Sequence, residues 1–285
     1  MSSVLLRHGR PLSRLSRTQF LARTTSTTPP PRRSFSLGPI ATASLVAAVS
    51  LGAYTVGSIY PPSALTLLYP RPAPALPANL TSPEALAHVA ALEAQLQSLP
   101  LLTTHRARAD TAEWYETRPH ANLPEPLRSN KLTPGALAGP GRLALLPLAR
   151  VRRDESEAVI FVHLGRGLCG HDGIIHGGLL ATLLDEALAR NSITNLPDKV
   201  AVTATMNLKY KAPTRADQFV VIKTRLVELR GRKAFVAGQI EDLSGTVLVE
   251  ADALFVQPRY AKLLNKNIVQ QQLGGPETAV SPPSS

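Results

Sequence analysis

Hydrophobic and polar positions change their period several times along this chain, and each change predicts a different element. Over residues 82–98 the apolar positions Leu86, Val89, Ala90, Leu92 and Leu96 recur at helical spacing. Ser82 is a fitting N-cap, Pro83 suits the first helical position, and Glu84 complements the positive end of the helix dipole. From Arg142 the pattern turns to strands, with apolar runs at 143–151 and 157–164 separated by the charged turn Arg152-Arg153-Asp154-Glu155. Leu179, Leu180, Leu183, Leu184, Ala187 and Leu188 then make a helix apolar nearly all round, which a sheet has to enclose. Over residues 202–211 the period is two: Val202, Ala204, Met206, Leu208 and Tyr210 share one face, and Thr203, Thr205, Asn207, Lys209 and Lys211 the other, until Pro213 ends the strand. Residues 218–229, 233–241 and 246–257 are three more strands, with turns at Arg230-Gly231-Arg232 and at 242–245. Two strands, one enclosed helix and a four-strand meander predict an α+β fold, a curved antiparallel sheet wrapped around a central helix.

The N-terminal part reads differently. No charge occurs between Arg33 and Arg71, and the apolar stretch from Pro39 to Tyr60 is long enough to span a bilayer. The organisation is then a transit-like segment 1–36, a transmembrane helix 37–60, a Pro-rich semi-rigid linker 61–81, a helical and irregular extension 82–140, the sheet-and-helix domain 141–262, and a tail 263–285 of disordered composition. Residues 103–142, with Trp114, Tyr115 and several prolines, read as an irregular surface-packing extension.

Charge refines this division. The chain carries +11 overall, yet no Asp or Glu precedes Glu84, whereas Arg7, Arg10, Arg14, Arg17, Arg23, Arg32, Arg33 and Arg71 all do. The remainder holds 23 basic against 20 acidic residues, so the basic balance belongs to the N-terminus and gives no reason to expect a nucleic-acid partner. An Arg-, Ser- and Thr-rich, acid-free start is the composition of a mitochondrial transit peptide. With seven arginines before the span and Arg71 after it, a single-pass inner-membrane anchor with its N-terminus in the matrix is expected, placing the body in the intermembrane space. One cysteine, Cys169, excludes an intrachain disulfide and a four-cysteine zinc site.

Candidate chemistry concentrates in Gly170-His171-Asp172-Gly173-Ile174-Ile175-His176-Gly177-Gly178 and the helix that follows. Unpaired N–H groups at a helix start suit a developing oxyanion. Asp185, two turns into an apolar helix, suits general-base or nucleophilic work, because burying an idle carboxylate is expensive. Glu186 points elsewhere and reads as a supporting group. Gly165, Gly167 and Gly170 match a dinucleotide fingerprint in spacing, but the strands that follow exclude a Rossmann unit. His171, Asp172 and His176 lack the further clustered ligands a metal site needs, so no metal or other cofactor is expected.

The run His176-Gly177-Gly178 with Asp185, the segment Thr203-Ala204-Thr205-Met206-Asn207-Leu208-Lys209-Tyr210-Lys211-Ala212-Pro213, and Gly231-Arg232-Lys233-Ala234 together resemble hotdog-fold acyl-CoA thioesterases of the phenylacetate-type and human thioesterase-superfamily branches, in a fungal-type mitochondrial form, over residues 140–258. The resemblance implies a hotdog homodimer or dimer of dimers in lipid metabolism that hydrolyses acyl-CoA to free acid and coenzyme A, with sites at the subunit interface. It implies that Gly177 supplies the oxyanion donor and that Asp185, from the opposite subunit, drives hydrolysis. His176 then shapes the loop, and Thr203 positions the attacking water. Gly170 stands where several bacterial members carry Asn, which brings His171 and Asp172, beside Gly178, into the substrate-binding set. Lys209, Lys211, Arg232 and Lys233 are the candidate phosphate contacts, since such cations suit phosphate. A non-catalytic acyl-CoA-binding scaffold is the alternative. A hotdog hydratase fits less well, because its paired histidine has no counterpart after His176.

Overall fold

The computed structural model describes residues 38–59, 81–264 and 266–276. The transit-like segment 1–36, nearly all of the linker and the end of the tail lie outside the described residues. The chain forms two units, residues 1–61 and 62–285. In the first, the helix Pro39–Ile59 contains no charged residue and exposes its described side chains almost throughout. Its 21 residues correspond to roughly 31 Å at 1.5 Å per residue, the depth of a bilayer's hydrocarbon core.

The second unit begins with the helix that its caps predict. In Pro83–Gln97 the Ser82 hydroxyl accepts the Ala85 N–H at 3.2 Å, and a second helix, Pro100–Arg106, follows. Leu96, Leu99 and Leu102 of this segment pack on Leu148, Phe161, Phe219 and Val221, so the two helices cover the outer face of a sheet.

That sheet has seven strands. β1 (Trp114–Thr117), β2 (Leu148–Arg152) and β3 (Glu157–Leu164) precede the central helix Gly177–Asn195, and a small hairpin of β4 (Cys169–His171) and β5 (Ile174–Ile175) leads into it. β6 (Val202–Tyr210), β7 (Gln218–Arg230), β8 (Lys233–Asp242) and β9 (Val247–Val256) follow. The antiparallel order is β1-β2-β3-β7-β8-β9-β6. The central helix buries Leu179, Leu180, Leu183, Leu184, Ala187 and Leu188 against Ile160, Val162, Ile222, Val236, Ile240 and Phe255. Each such leucine stabilises the fold by about 1.5–3 kcal/mol, which explains why the helix carries no polar stripe. This is the expected α+β hotdog architecture, a curved sheet around one helix.

Four local expectations are corrected. The extension 103–142 contains β1, whose residues Trp114, Tyr115, Glu116 and Thr117 are all buried; burial on both faces erases the alternation by which a strand is recognised. Glu116 is accommodated there by Arg106 at 2.6 Å and Arg150 at 3.8 Å. The run at 143–151 becomes a strand only from Leu148, after Pro147, which has no N–H to give a ladder. The last four strands are not a simple meander, because β6 pairs with β9 at the sheet edge while β7 returns to β3. The tail does not read true to its composition over Lys266–Leu273, which is helical. Its end is held by the Arg190 guanidinium, only 2% exposed, which donates to the carbonyls of Leu273 and Gly274. A buried cation requires such acceptors, and they outweigh the polar composition of the segment.

Candidate functional site

The helix start is set by a histidine cap. His176 is the N-cap of the central helix, and its Nδ1 accepts the Gly178 N–H at 2.9 Å. That bond leaves the ring's other nitrogen, Nε2, to carry the proton of the neutral imidazole. The Gly177 N–H has no acceptor among the described residues, whereas the Gly177 carbonyl accepts the Tyr210 hydroxyl at 2.9 Å. The strand β6 thus fixes the first turn of the helix while one N–H stays free for another ligand. The glycines have steric reasons: a Cβ on Gly178 would stand 3.0 Å from the His176 ring, and one on Gly170 would stand 2.9 Å from its Cδ2. His171, the last residue of β4, and Asp172, in the hairpin turn after it, lie exposed, and the pKa of the half-buried Cys169 thiol is pushed up by burial.

Asp185 and Thr203 meet. The Thr203 hydroxyl donates to Asp185 Oδ1 at 2.7 Å. Strict alternation would have turned Thr203 away from Met206 and Leu208, yet both of these also pack on the core. A β-bulge resolves the conflict: Thr203 pairs with Phe255 and Thr205 with Leu254, so Ala204 is an extra residue that flips the phase of the strand. Thr203, Met206, Leu208 and Tyr210 consequently all serve the helix side.

Beside this pair, a cavity of about 500 Å³ runs between the helix and the sheet, with Ile160, Val162, Leu183, Ile222 and Phe255 among its apolar walls and Asp185 and Thr203 on its rim. It falls within the usual size of small-molecule pockets. A larger cavity of about 720 Å³ lies on the opposite face of the sheet, against His105, Arg108 and Lys223. It contains none of the helix-start or Asp185 groups, so size alone does not identify the site.

Two titratable groups on the Asp185 cavity went unrecognised or undervalued in the sequence. Glu186 lines it and accepts the Thr133 hydroxyl at 2.7 Å; burial pushes its carboxyl above the ordinary glutamate range. His120 also lines it, is only 6% exposed, adopts φ 67°, and has an Nδ1 without a partner. Burial, helped by Lys131, lowers its pKa from 6.5 to about 4. Nothing in the local sequence of His120 marks it, since it reaches the cavity from the extension.

The remaining candidates fall at two ends of β6. Lys209 and Lys211 lie near Tyr210 and the helix start, with Lys211 paired to Glu250 at 3.0 Å. Arg232 donates to the Gln257 carbonyl at 2.9 Å, and Lys233 pairs with Val256, the residue that also faces Val202, so these two lie near Thr203. Gly177 and Asp185 are likewise apart: eight residues of helix separate them by roughly 12 Å. Within one chain the free N–H and the carboxylate cannot touch the same carbonyl.

A family model described as Thioesterase superfamily matches residues 172–249, a span that includes Gly177, Asp185 and Thr203. An uncharacterized protein of Schizosaccharomyces pombe, C26H8.11c, is 32% identical over 120 residues, 41% of this chain and 69% of its own length. The uncharacterized mitochondrial membrane protein FMP10 of Saccharomyces cerevisiae is 36% identical over 129 residues, covering 44% of this chain and 53% of that protein. The acyl-coenzyme A thioesterase THEM4 of Mus musculus is 35% identical over 104 residues, 36% of this chain and 44% of the mouse protein. The chain spans 42% to 69% of the lengths of such curated relatives. The helix-in-sheet fold, the matching family model and the shared segment with these relatives together place the chain in one family: it belongs to the thioesterase superfamily.

Proposed function

We propose that this chain hydrolyses acyl-CoA thioesters, working as a symmetric dimer in which Asp185 and Thr203 of one protomer face the Gly177 N–H of the other. One observation carries the reading: a carboxylate on an apolar helix, oriented by a threonine hydroxyl at 2.7 Å, opens onto an apolar cavity. The 12 Å between Gly177 and Asp185 then calls for a second copy. β6 is an edge strand with unpaired backbone groups along its free side. Antiparallel pairing of two β6 strands about Met206, with Ala204 as the extra residue, sets Thr203 of one protomer opposite Leu208 of the other, on the same face as Tyr210 and close to the Gly177 that it holds. Such pairing is self-complementary, as two-fold interfaces are, and it joins the two cation groups, Lys209 and Lys211 with Arg232 and Lys233, around one coenzyme A.

In this arrangement the thioester oxygen accepts the Gly177 N–H. Asp185 takes a proton from a water held by Thr203, and the water oxygen attacks the carbonyl carbon. The tetrahedral oxyanion is stabilised at the helix start, the C–S bond breaks, and the proton passes to the departing sulfur, giving free acid and coenzyme A thiol. His176 holds the loop through Gly178, with His171 and Asp172 at the same entrance. The similarity to THEM4 supports the substrate class. The helix Pro39–Ile59 anchors the chain as a single pass in the mitochondrial inner membrane, behind a transit segment at 1–36; its length, its lack of charge and the similarity to FMP10 support this. Resistance to alkaline extraction from isolated mitochondria is the expected result.

The decisive test is thiol release by the full chain over short, medium and long acyl-CoAs, followed by mixing of two inactive variants. Asp185→Asn and Gly177→Pro homodimers should each lose about 10²-fold or more in kcat, and subunit exchange should restore activity by building one intact site. Tight acyl-CoA binding with no thiol release would favour a scaffold instead, and absence of rescue would refute the shared site.

A further inference from the structure

The cavity beside Asp185 is closed at one end by residues outside the hotdog sheet. Gln272 and Leu273, at the end of the C-terminal helix Lys266–Leu273, line it together with apolar groups of β3, β7 and β9. The same Leu273, with Arg190 and Ile193, also lines a polar cleft of about 580 Å³ on the other side, which Arg153, Lys199 and Asn267 border. The partition between the two spaces is therefore about one side chain thick.

The segment is docked by its main chain. Arg190 donates to the Leu273 and Gly274 carbonyls, the latter at 2.8 Å, and to the Tyr115 hydroxyl at 2.6 Å. The His120 N–H donates to the Gln272 carbonyl at 2.8 Å, and Lys266 pairs with Asp198 at 2.9 Å. Carbonyls at a helix C-terminus lack intrahelical partners and carry partial negative charge, so a buried guanidinium suits them. Gly274 completes the clamp with φ 66°, and a Cβ there would collide with Thr117 Oγ1. Because the contacts at residues 272–274 use backbone carbonyls, the polar anchoring does not depend on the Leu273 and Gln272 side chains, which can vary with what fills the cavity.

We propose that the segment Lys266–Gly274 is the end wall of the acyl cavity and that Leu273 determines the longest aliphatic acyl chain the site accepts. This rests on the thioesterase reading above. Shortening Leu273 opens the apolar cavity towards the cleft behind it, and enlarging it fills the cavity's end. Discrimination of acyl chains by a few methylenes in a hydrophobic pocket is typically on the order of 10–200-fold.

The test uses the purified full chain, with kcat/KM for saturated acyl-CoAs of stepwise increasing length and binding of the corresponding free fatty acids. Leu273→Ala should shift both preferences to longer chains, with the long-to-medium ratio rising roughly tenfold, and Leu273→Phe should shift them to shorter ones. Gly274→Ala, which undocks the segment without altering Leu273, should match Leu273→Ala. An unchanged length optimum in folded Leu273 variants of an active enzyme overturns the wall and leaves the activity standing. A wild type that releases no thiol from any acyl-CoA sinks the hydrolase reading instead, and the fatty-acid series still decides for or against the wall.

Discussion

Replacing Gly177 with proline deletes one N–H and, by the local geometry, almost nothing else. Gly177 is the first residue of the central helix, the position where proline is best tolerated. His176 before it has φ −62° and ψ 127°, the extended conformation that a following proline demands. An added Cβ would meet the Tyr210 ring at 3.4 Å, an ordinary contact, and the N–H that disappears serves no acceptor among the described residues. A compatible proline stabilises a fold by about 0.4–1 kcal/mol, so the melting temperature should stay level or rise. Loss of one oxyanion donor lowers kcat by about 10²–10³, or about 2.7–4 kcal/mol of transition-state stabilisation. Gly177→Ala is the control, since it adds the Cβ but keeps the N–H and should retain most activity. Thiol release measured beside thermal unfolding separates the two effects. A folded Gly177→Pro protein with wild-type turnover would refute the oxyanion role and with it the shared-site mechanism.

Other outcomes follow from the same contacts. Asp185→Asn keeps an oxygen to accept the Thr203 hydroxyl, so it should fold normally while kcat falls by about 10²–10⁴; a folded, fully active variant contradicts the carboxylate's role. Thr203→Val should cost roughly 10- to 150-fold in kcat, from a hydrogen bond to a charged group worth about 1.5–3 kcal/mol, with KM little changed. Glu186 has a raised pKa through burial, so its stabilising contribution is complete below the unfolded glutamate value and is lost as pH rises through the folded one. Glu186→Gln, which can still accept from Thr133, should have a higher urea midpoint than wild type at neutral pH, and the two should converge in acid. His120 is depressed to about 4, so its contribution is present above about 6.5 and lost as pH falls through 4, with a ceiling of about 3 kcal/mol. His120→Asn, tolerated at φ 67°, should flatten that part of the acid transition. Burial depresses His105 and His163 too, so part of the acid sensitivity should persist.

Local pattern determined a good deal. The cap at Ser82, the strands at 157–164 and 233–241, the enclosure of the Leu179–Leu188 stripe and the suspicion that falls on Asp185 all follow from spacing along a helix or strand, where neighbours in sequence are neighbours in space. Tertiary structure decided the rest. β1 is hidden from pattern reading because both its faces are covered, and the helical tail owes its place to a buried guanidinium contributed by a residue far away in the chain. Thr203 serves Asp185 only through a bulge whose register is set by β9, and periodicity of two assigns it to the wrong face. His120 and Leu273 reach the cavity from segments with no chemical signature, because a cavity's lining is selected by packing and not by order in the chain. The roughly 12 Å between Gly177 and Asp185 is implicit in eight helical residues. The second copy that the proposed mechanism calls for is already implied by the family resemblance, but the edge on which it would dock is seen only in the strand order, which leaves β6 at one end of the sheet.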